Sequence, residues 1–356
     1  MGKSTVLKNE STALNNVKVF QNDAVGTGCF SYLPGEVVWA VTNACNLKCK
    51  HCMLDSGKEF PDELTTEEGK RLIDDAAKLG SVKFAFTGGE PLMREDIFEL
   101  VRYANTTDVQ VCMATNGTLM DEEMAQRLKD AGLYSFGMSI DGVGKKHDDF
   151  RGLEGTFDLA MQGFQVARKA GLRFQFHTTV AKHNIDDMPR LIDLAEELAI
   201  YRIYLVHLIT IGRGVDQPDI DKEECKWLFD YIIERQKTTS VWLKPICNPQ
   251  FWIYLRSKMD LDFDITGCTA GITRFHIFPN GDVTPCAYLP VVAGNLREQS
   301  FYEIYKNSDV FNNLRQRNLK GKCGSCDNKT ICGGCRSRAN AKFGDYLAED
   351  PLCIMD

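Results

Sequence analysis

Val37-Val38-Trp39-Ala40-Val41-Thr42-Asn43-Ala44-Cys45-Asn46-Leu47-Lys48-Cys49-Lys50-His51-Cys52 runs from an apolar strand straight into a loop holding three thiols. Cys45 and Cys49 have three residues between them, Cys49 and Cys52 two, a spacing that closes a tight loop around one metal centre. An iron–sulfur cube is normally held by four cysteines. Three thiols therefore leave its fourth iron without a protein ligand, and an open metal position is a reactive one. Two other uses of such a run compete. A structural zinc site closes with four ligands, commonly as paired CxxC units. A disulfide framework goes with a secretory leader, and none is expected ahead of these residues.

Outward from this loop, from about residue 36 to 237, strand-like apolar runs alternate with amphipathic stretches. The runs are 37–41, 82–86, 109–113, 135–140, 174–180 and 203–206; helical patterns cover 67–79, 122–131, 157–170 and 188–198. Thr65 and Glu68 form a capping box at the first helix start. Six strands, each followed by a helix, imply right-handed crossovers and a parallel sheet. Six units are too few to close an eight-fold barrel, so the expected fold is α/β, a partial (β/α)6 TIM-like barrel. Ligands in such folds gather at the carboxyl ends of the strands, where the cysteine loop lies.

Beyond residue 238 the alternation stops. One helix is expected over 248–259, a hairpin over 272–287 with a type I′ turn at Asn280-Gly281, and one helix over 301–316. Residues 320–353 are rich in cysteine and glycine and bury little core, so bound metal is the available folding force. The expected organisation is an N-terminal extension (1–35), the barrel (36–237) and a small C-terminal cysteine-rich iron–sulfur domain (238–356).

The 356 residues include 14 cysteines, with three in the first loop and seven between Cys268 and Cys353. Clustering of this kind in a reducing compartment points to metal ligation. Cys29, Cys112 and Cys225 read as buried small hydrophobes. A net charge of −7 argues against a nucleic-acid surface, and no apolar run is long enough to span a membrane. The start is polar; Met1-Gly2 with Ser4 and Thr5 loosely matches a myristoylation start that nothing else supports. The expected location is cytoplasmic.

The cysteine loop resembles the CxxxCxΦC loop of the radical S-adenosylmethionine (SAM) enzymes, with His51 in the usually aromatic position. The resemblance implies that the SAM amino and carboxylate groups chelate the open iron of a [4Fe–4S] cluster. One electron then splits the sulfonium into methionine and a 5′-deoxyadenosyl radical, with Cys45, Cys49 and Cys52 as catalytic and metal-ligating residues. Gly88-Gly89-Glu90-Pro91 matches the family's GGEP motif: its glycines admit the methionine moiety, and Glu90 and the carbonyls receive the ammonium. Asn116, Ser139 and Asp141 suit the ribose hydroxyls and methionine carboxylate. Arg151 resembles the arginine aimed at that carboxylate, and Val180 is placed to pack on adenine or serve as core.

The C-terminal pattern, Cys268, Cys286, Cys323-x2-Cys326-x5-Cys332-x2-Cys335 and Cys353, resembles the SPASM extension with its auxiliary [4Fe–4S] clusters. Carried over, Cys323, Cys326, Cys332 and Cys353 hold one cluster; Cys268, Cys286 and Cys335 hold the other. Two departures stand out. Gly333-Gly334 supply two residues where the family has three, and no cysteine lies between Cys268 and Cys286. Either Cys247 or a non-cysteine ligand fills that gap, or one iron is open to substrate, or the cluster is absent. CxxC pairs also serve zinc ribbons.

The phrases at 139–152, 211–214, 282–290, 332–339 and 344–351 are similar to the haem-biosynthesis branch of this family. Its members include iron-coproporphyrin III decarboxylase and the didecarboxysiroheme side-chain-removing enzyme. The resemblance implies hydrogen abstraction from a tetrapyrrole side chain, with decarboxylation or side-chain removal in haem biosynthesis. An auxiliary cluster takes up the extra electron, and Arg213, with His207, meets anionic groups. A ferredoxin or flavodoxin is the expected electron donor, under anaerobic conditions. One rival is a maturase acting on a peptide or protein side chain; only 44 polar residues precede Cys45, which favours a small or docked substrate. Another, of a different class, is a non-enzymatic iron–sulfur electron carrier.

Overall fold

The computed structural model describes residues 34–259 and 266–355. Cys29 and the Met1-Gly2 start lie outside them. Seven strands follow in chain order: β1 (Glu36–Ala40), β2 (Lys83–Thr87), β3 (Gln110–Thr115), β4 (Ser135–Ser139), β5 (Phe174–Val180), β6 (Arg202–His207) and β7 (Trp242–Ile246). Each is paired parallel to the one before it. The hairpin β8 (Arg274–Ile277) and β9 (Asp282–Thr284), with β10 (Gly294–Asn295), extends the other edge, β8 lying parallel to β1. The sheet order is β10-β9-β8-β1-β2-β3-β4-β5-β6-β7.

The crossovers are helical: α1 (Thr66–Lys78), α2 (Ile97–Ala104), α3 (Glu122–Asp130), α4 (Lys145–Arg151), α5 (Thr156–Lys169), α6 (Met188–Glu197) and α7 (Lys222–Gln236). α1 begins at the expected capping box: Thr65 Oγ1 accepts from the Glu68 N–H at 3.3 Å, and the Glu68 carboxylate accepts from the Thr65 N–H at 2.8 Å. Strand alternation divides the sheet into two faces. Val37, Trp39, Phe84, Phe86, Val111, Met113, Phe136, Phe176, Ile203, Leu205, Leu243 and Phe275 are buried in the main hydrophobic core, shared with helix residues such as Leu72, Ile73, Leu100 and Leu191. The intervening residues look the other way, onto a face without helices. There Ala85, Cys112, Ala114, Ser139, His177, Thr179, Tyr204, Lys244 and Arg274 stay partly accessible.

The six expected βα units are present, and the structure adds to them. β7, Trp242-Leu243-Lys244-Pro245-Ile246, is a seventh parallel strand beyond residue 238. Its proline is tolerated because β7 pairs only with β6, at the edge of the sheet. The hairpin turn also differs from type I′. Among the described residues with positive φ, Gly281 (89°) is present and Asn280 is not, so the turn rests on one left-handed glycine. The expected helix over 301–316 breaks at Ser308 into two.

After α8 (Gln250–Lys258) and the hairpin come α9 (Phe301–Asn307) and α10 (Asp309–Arg315), then a tail with α11 (Gly321–Ser325) and α12 (Arg336–Phe343). The tail's buried residues include Arg336, Ser337, Arg338, Asp350 and Cys335 beside Ala339 and Leu352. No helix among the described residues is long and apolar enough to cross a membrane.

Candidate active site

The cysteine loop leaves the carboxyl end of β1 and is fastened on all sides. Cys45 N–H donates to Gly57 O at 3.1 Å, Gly57 N–H to Asn43 O at 3.0 Å, and Lys50 N–H to Phe150 O at 2.9 Å. Gly89 and Glu90 donate their N–H groups to Thr42 O and Ala44 O, both at 2.8 Å. A Cβ on Gly88 would stand 2.5 Å from Thr42 O, and one on Gly89 2.2 Å from Ala44 O. The two glycines thus admit the loop's own backbone, a use that precedes any contact with SAM.

Glu90 is wholly buried. Its carboxylate accepts from Leu92 N–H (3.1 Å), Thr115 Oγ1–H (2.8 Å) and Asn116 N–H (2.8 Å). Burial pushes its pKa up against those hydrogen bonds. Glu90 therefore ties β3 to the loop, with little acceptor capacity left for an ammonium. Asn116 reaches back to Asn46 Oδ1 (2.9 Å), and Pro91 is buried at the start of a short 3-10 turn. Ser139 ends β4 and is partly accessible.

Beneath Cys49 lies a buried charge relay. Arg151, at the end of α4 and not on an exposed loop, places Nη2 2.6 Å from Asp141 Oδ2 and Nη1 3.7 Å from Cys49 Sγ. Asp141 also accepts from Thr179 N–H at 2.7 Å. His51 stacks on Phe150 with centroids 4.1 Å apart and sets Nε2 3.4 Å from Asp141. Burial drives its pKa down to about 3, so the ring is neutral. Arg151 Nε and His51 Nδ1 are buried without a hydrogen-bond partner. Arg151 Nε, an unspent donor beside a thiol set, suits an anionic ligand, whereas Nδ1 of the neutral His51 ring is an acceptor.

The thiols themselves fit a cluster. Leu47 N–H points at Cys45 Sγ and Ser56 N–H at Cys52 Sγ, both at 3.4 Å, as Arg151 does at Cys49. Each sulfur thus has one donor to stabilise a thiolate. Burial raises Cys45 to about 11, with Glu90 and the neighbouring thiols adding to it, so binding a metal must displace protons. Among the described residues no three His, Cys, Asp or Glu side chains gather around a single-ion point.

Two expectations need correction, and of the two readings of Val180 the structure selects core. Arg213 does not face a substrate: it donates to Cys49 O (2.9 Å) and Ser56 O (2.9 Å) and pairs with Asp55 (2.6 Å), pinning the cysteine loop. His207 is buried between Asp219 (2.7 Å) and Asn248 (3.1 Å), and burial lowers its pKa, so it offers no cation. Val180 is buried in the main core and presents no surface to an adenine; its place is packing.

The C-terminal cysteines fall into two neighbourhoods. Cys332 is within electrostatic reach of Cys323 and Cys353, and Cys353 of Cys323 and Cys326. Gly334 N–H points at Cys332 Sγ (3.4 Å) and Asp350 N–H at Cys323 Sγ (3.3 Å). Separately, Cys286 is in reach of Cys268 and Cys335. Between the two lies a buried ion pair, Arg338–Asp350 at 3.2 Å, whose carboxylate accepts from Cys335 N–H at 2.7 Å. Cys225 is core, as expected; Cys112 is only partly buried, on the helix-free face.

That face and its rim carry further residues to which the sequence assigned no role. Tyr288, held above its usual pKa chiefly by burial, lies within charge reach of Cys247, Cys286, Arg274 and Asp141. His177 is in reach of Arg274, and Lys244 sits over the Tyr204 and Trp242 rings. Only strand register reveals this set. It joins the cysteine-loop end of the sheet to the Cys286 neighbourhood.

Comparison with known proteins agrees with this geometry. Residues 39–195 match the radical SAM superfamily and residues 268–328 the iron–sulfur cluster-binding SPASM domain. The chain is 39% identical to the AdoMet-dependent heme synthase of Methanosarcina barkeri, over 90% of this chain and 96% of that one. It is 36% identical to the Fe-coproporphyrin III synthase of the same organism, over 90% and 87%. The crystal structure of Streptococcus suis SuiB bound to S-adenosylmethionine shares the fold, with a TM-score of 0.75 at 20% identity over 91% of this chain and 78% of that one. The chain belongs to the radical SAM enzymes that carry a SPASM iron–sulfur domain.

Proposed function

We propose that the enzyme modifies a tetrapyrrole side chain, abstracting hydrogen from a propionate or acetate arm so that it is decarboxylated or removed. When bound, the [4Fe–4S] cluster and SAM supply the 5′-deoxyadenosyl radical, and the auxiliary clusters supply a place for electrons. The observation that carries the reading is the end-to-end likeness to two proteins named for haem and iron-coproporphyrin synthesis. The helix-free face supports it. Ala85 and Ala114 lie along its middle strands, the His177 ring packs against Gly137, and Lys244 and Arg274, the latter paired with Glu36 at 3.2 Å, stand on the strands at either side. A broad, flat, carboxylate-bearing ring needs room flanked by cations.

In this reading Cys45, Cys49 and Cys52 hold the SAM cluster. Arg151, positioned by Asp141, receives the SAM carboxylate, and Asn116 and Ser139 line the nucleoside. Neutral His51, packed on Phe150, shields the cluster from water. Residues 36–237 form the body of the catalytic barrel, to whose sheet β7 and the β8–β10 strands add, and the cysteine-bearing part of 238–356 is the auxiliary module. The electron comes from a small redox protein such as ferredoxin or flavodoxin.

Anaerobic turnover with SAM and dithionite tests the proposal, with iron-coproporphyrin III, didecarboxysiroheme and a peptide compared by mass spectrometry. Loss of carbon dioxide or of an acetate arm from a tetrapyrrole is expected. Modification of the peptide alone would move the enzyme to the maturases.

A further inference from the structure

One imidazole on the helix-free face has its proton placed by its neighbours. His177 lies on β5, level with Ser139 on β4 and Tyr204 on β6. Its ring lies flat against Gly137, where any Cβ would collide with it, and the Tyr204 ring meets it edge-on at 5.1 Å between centroids. A chain of hydrogen bonds reaches the ring from the start of β6. Arg202 Nη2 donates to Tyr201 Oη at 3.0 Å, and the Tyr201 O–H donates to Gln175 Oε1 at 2.8 Å. Gln175 Nε2 lies 3.1 Å from His177 Nε2.

The direction of that chain is fixed at its first member. A guanidinium has donors and no acceptor, so the Tyr201 oxygen accepts and its own proton is left for Gln175. The Gln175 oxygen is thereby taken, and its amide nitrogen donates to His177 Nε2. Nε2 is then the acceptor of a neutral ring, and the ring's proton sits on Nδ1. Burial keeps the ring neutral, with its pKa driven down to about 4. Among the described residues no group accepts from Nδ1–H, and that nitrogen is not sealed from solvent, so the donor faces the open interior of the barrel.

We propose that His177 Nδ1–H receives one carboxylate arm of the substrate and holds it beside the nucleoside row marked by Ser139, a role that rests on the tetrapyrrole reading above. A neutral donor suits this task better than a cation. An arm that leaves as carbon dioxide gives up its negative charge, so an ion pair made in the ground state is lost on the way to the transition state. A hydrogen bond from a neutral ring orients the same carboxylate with less to lose. Gln175 and Tyr201 touch no substrate in this arrangement. They are positioning residues that keep the proton on Nδ1.

The test is an anaerobic absorbance titration of the reconstituted full chain with iron-coproporphyrin III, with SAM present and no reductant. His177→Phe keeps a ring over Gly137 and removes the donor; affinity should fall about tenfold, as for a hydrogen bond to a charged group. His177→Asn, which can present an N–H near the same place, should recover most of the loss. The tetramethyl ester of iron-coproporphyrin III has no anionic arms and should bind the parent and His177→Phe alike, and SAM affinity should not change. Equal affinity of parent and His177→Phe for iron-coproporphyrin III would overturn the proposal, as would an equal loss with the ester. A fall in SAM affinity would place the ring at the cofactor instead, and a change in the spin state of the porphyrin iron between parent and His177→Phe would make it an iron ligand; either result overturns the donor role. A parent chain that binds no iron-coproporphyrin III would remove the tetrapyrrole reading itself, whereas binding unaffected by His177→Phe would remove this proposal alone.

Discussion

The two cysteine regions solve different problems. The first loop is laid on a finished scaffold: backbone bonds to Gly57, Gly89, Glu90 and Phe150 hold it, and Arg213 staples it from outside. Its three thiols can wait for a metal because the apolar core beneath is already closed. The tail has no such core. Buried Arg336, Arg338 and Asp350 stand where apolar side chains would be expected, and the thiols lie around them. The lesson is that ligand number follows task. A three-thiol set on a rigid support suits a reactive metal, whereas a tail that buries charges in place of an apolar core relies on bound metal to fold.

The largest expected effect breaks the first region alone. Cys45→Ala should abolish SAM cleavage and remove about four irons per chain while the C-terminal iron stays. Equal iron in variant and parent, by colorimetric assay, would remove the ligand assignment. Next, Arg338→Met should break the second region. It strands the buried Asp350 carboxylate and releases Cys247 O, with an expected cost of about 3–5 kcal/mol. C-terminal iron should be lost first on denaturant titration, with the loop cluster's SAM-induced spectral change still present. Retention of all iron at the parental midpoint would mean the tail folds without that pair.

Arg151→Lys is gentler. It keeps the charge and loses the planar fork that spans Asp141 and Cys49. SAM affinity should fall about tenfold, or ~1.4 kcal/mol, without loss of iron. Unchanged affinity in a spectroscopic titration would leave Arg151 a purely structural cation.

The last effect is spread over the barrel and not placed at one residue. His51 and His276 are held near about 3, and His147 and His177 near about 4, all chiefly by burial. Unfolded, each has a pKa of about 6.5. The unfolded chain thus binds more protons below that pH. Stability present above about 6.5 is lost as pH falls toward the folded values, by up to about 1.4 kcal/mol per histidine per pH unit. Denaturant midpoints of the metal-free protein at about pH 7 and pH 5 measure it; equal midpoints would show that these rings are not buried neutral.

How much the sequence revealed follows from how local each feature is. Ligand spacing, Gly88-Gly89-Glu90-Pro91 and the Thr65–Glu68 capping box lie within a few residues and were legible. Asp141 and Arg151 were marked by motif order as SAM contacts, but their pairing with each other beneath Cys49 was not legible. β7 was hidden because Lys244 and Pro245 interrupt its apolar run, which only an edge position permits. Arg213 and His207 sit where a substrate cation would be expected, and only coordinates show their donors spent on Cys49, Ser56 and Asp219. His177, Lys244 and Arg274 lie on separate strands, so register alone brings them to one face.

The most direct test of the incomplete cube is Mössbauer spectroscopy of anaerobic protein loaded with isotopically enriched iron, before and after SAM. The C-terminal cysteines are best left intact, with Cys45→Ala as the subtraction blank. The expected result is that a single iron of the loop cluster changes its isomer shift when SAM binds, and that the change is absent from the blank. Spectra in which no iron responds to SAM, or tetrahedral zinc in place of iron at Cys45, Cys49 and Cys52, would contradict the account.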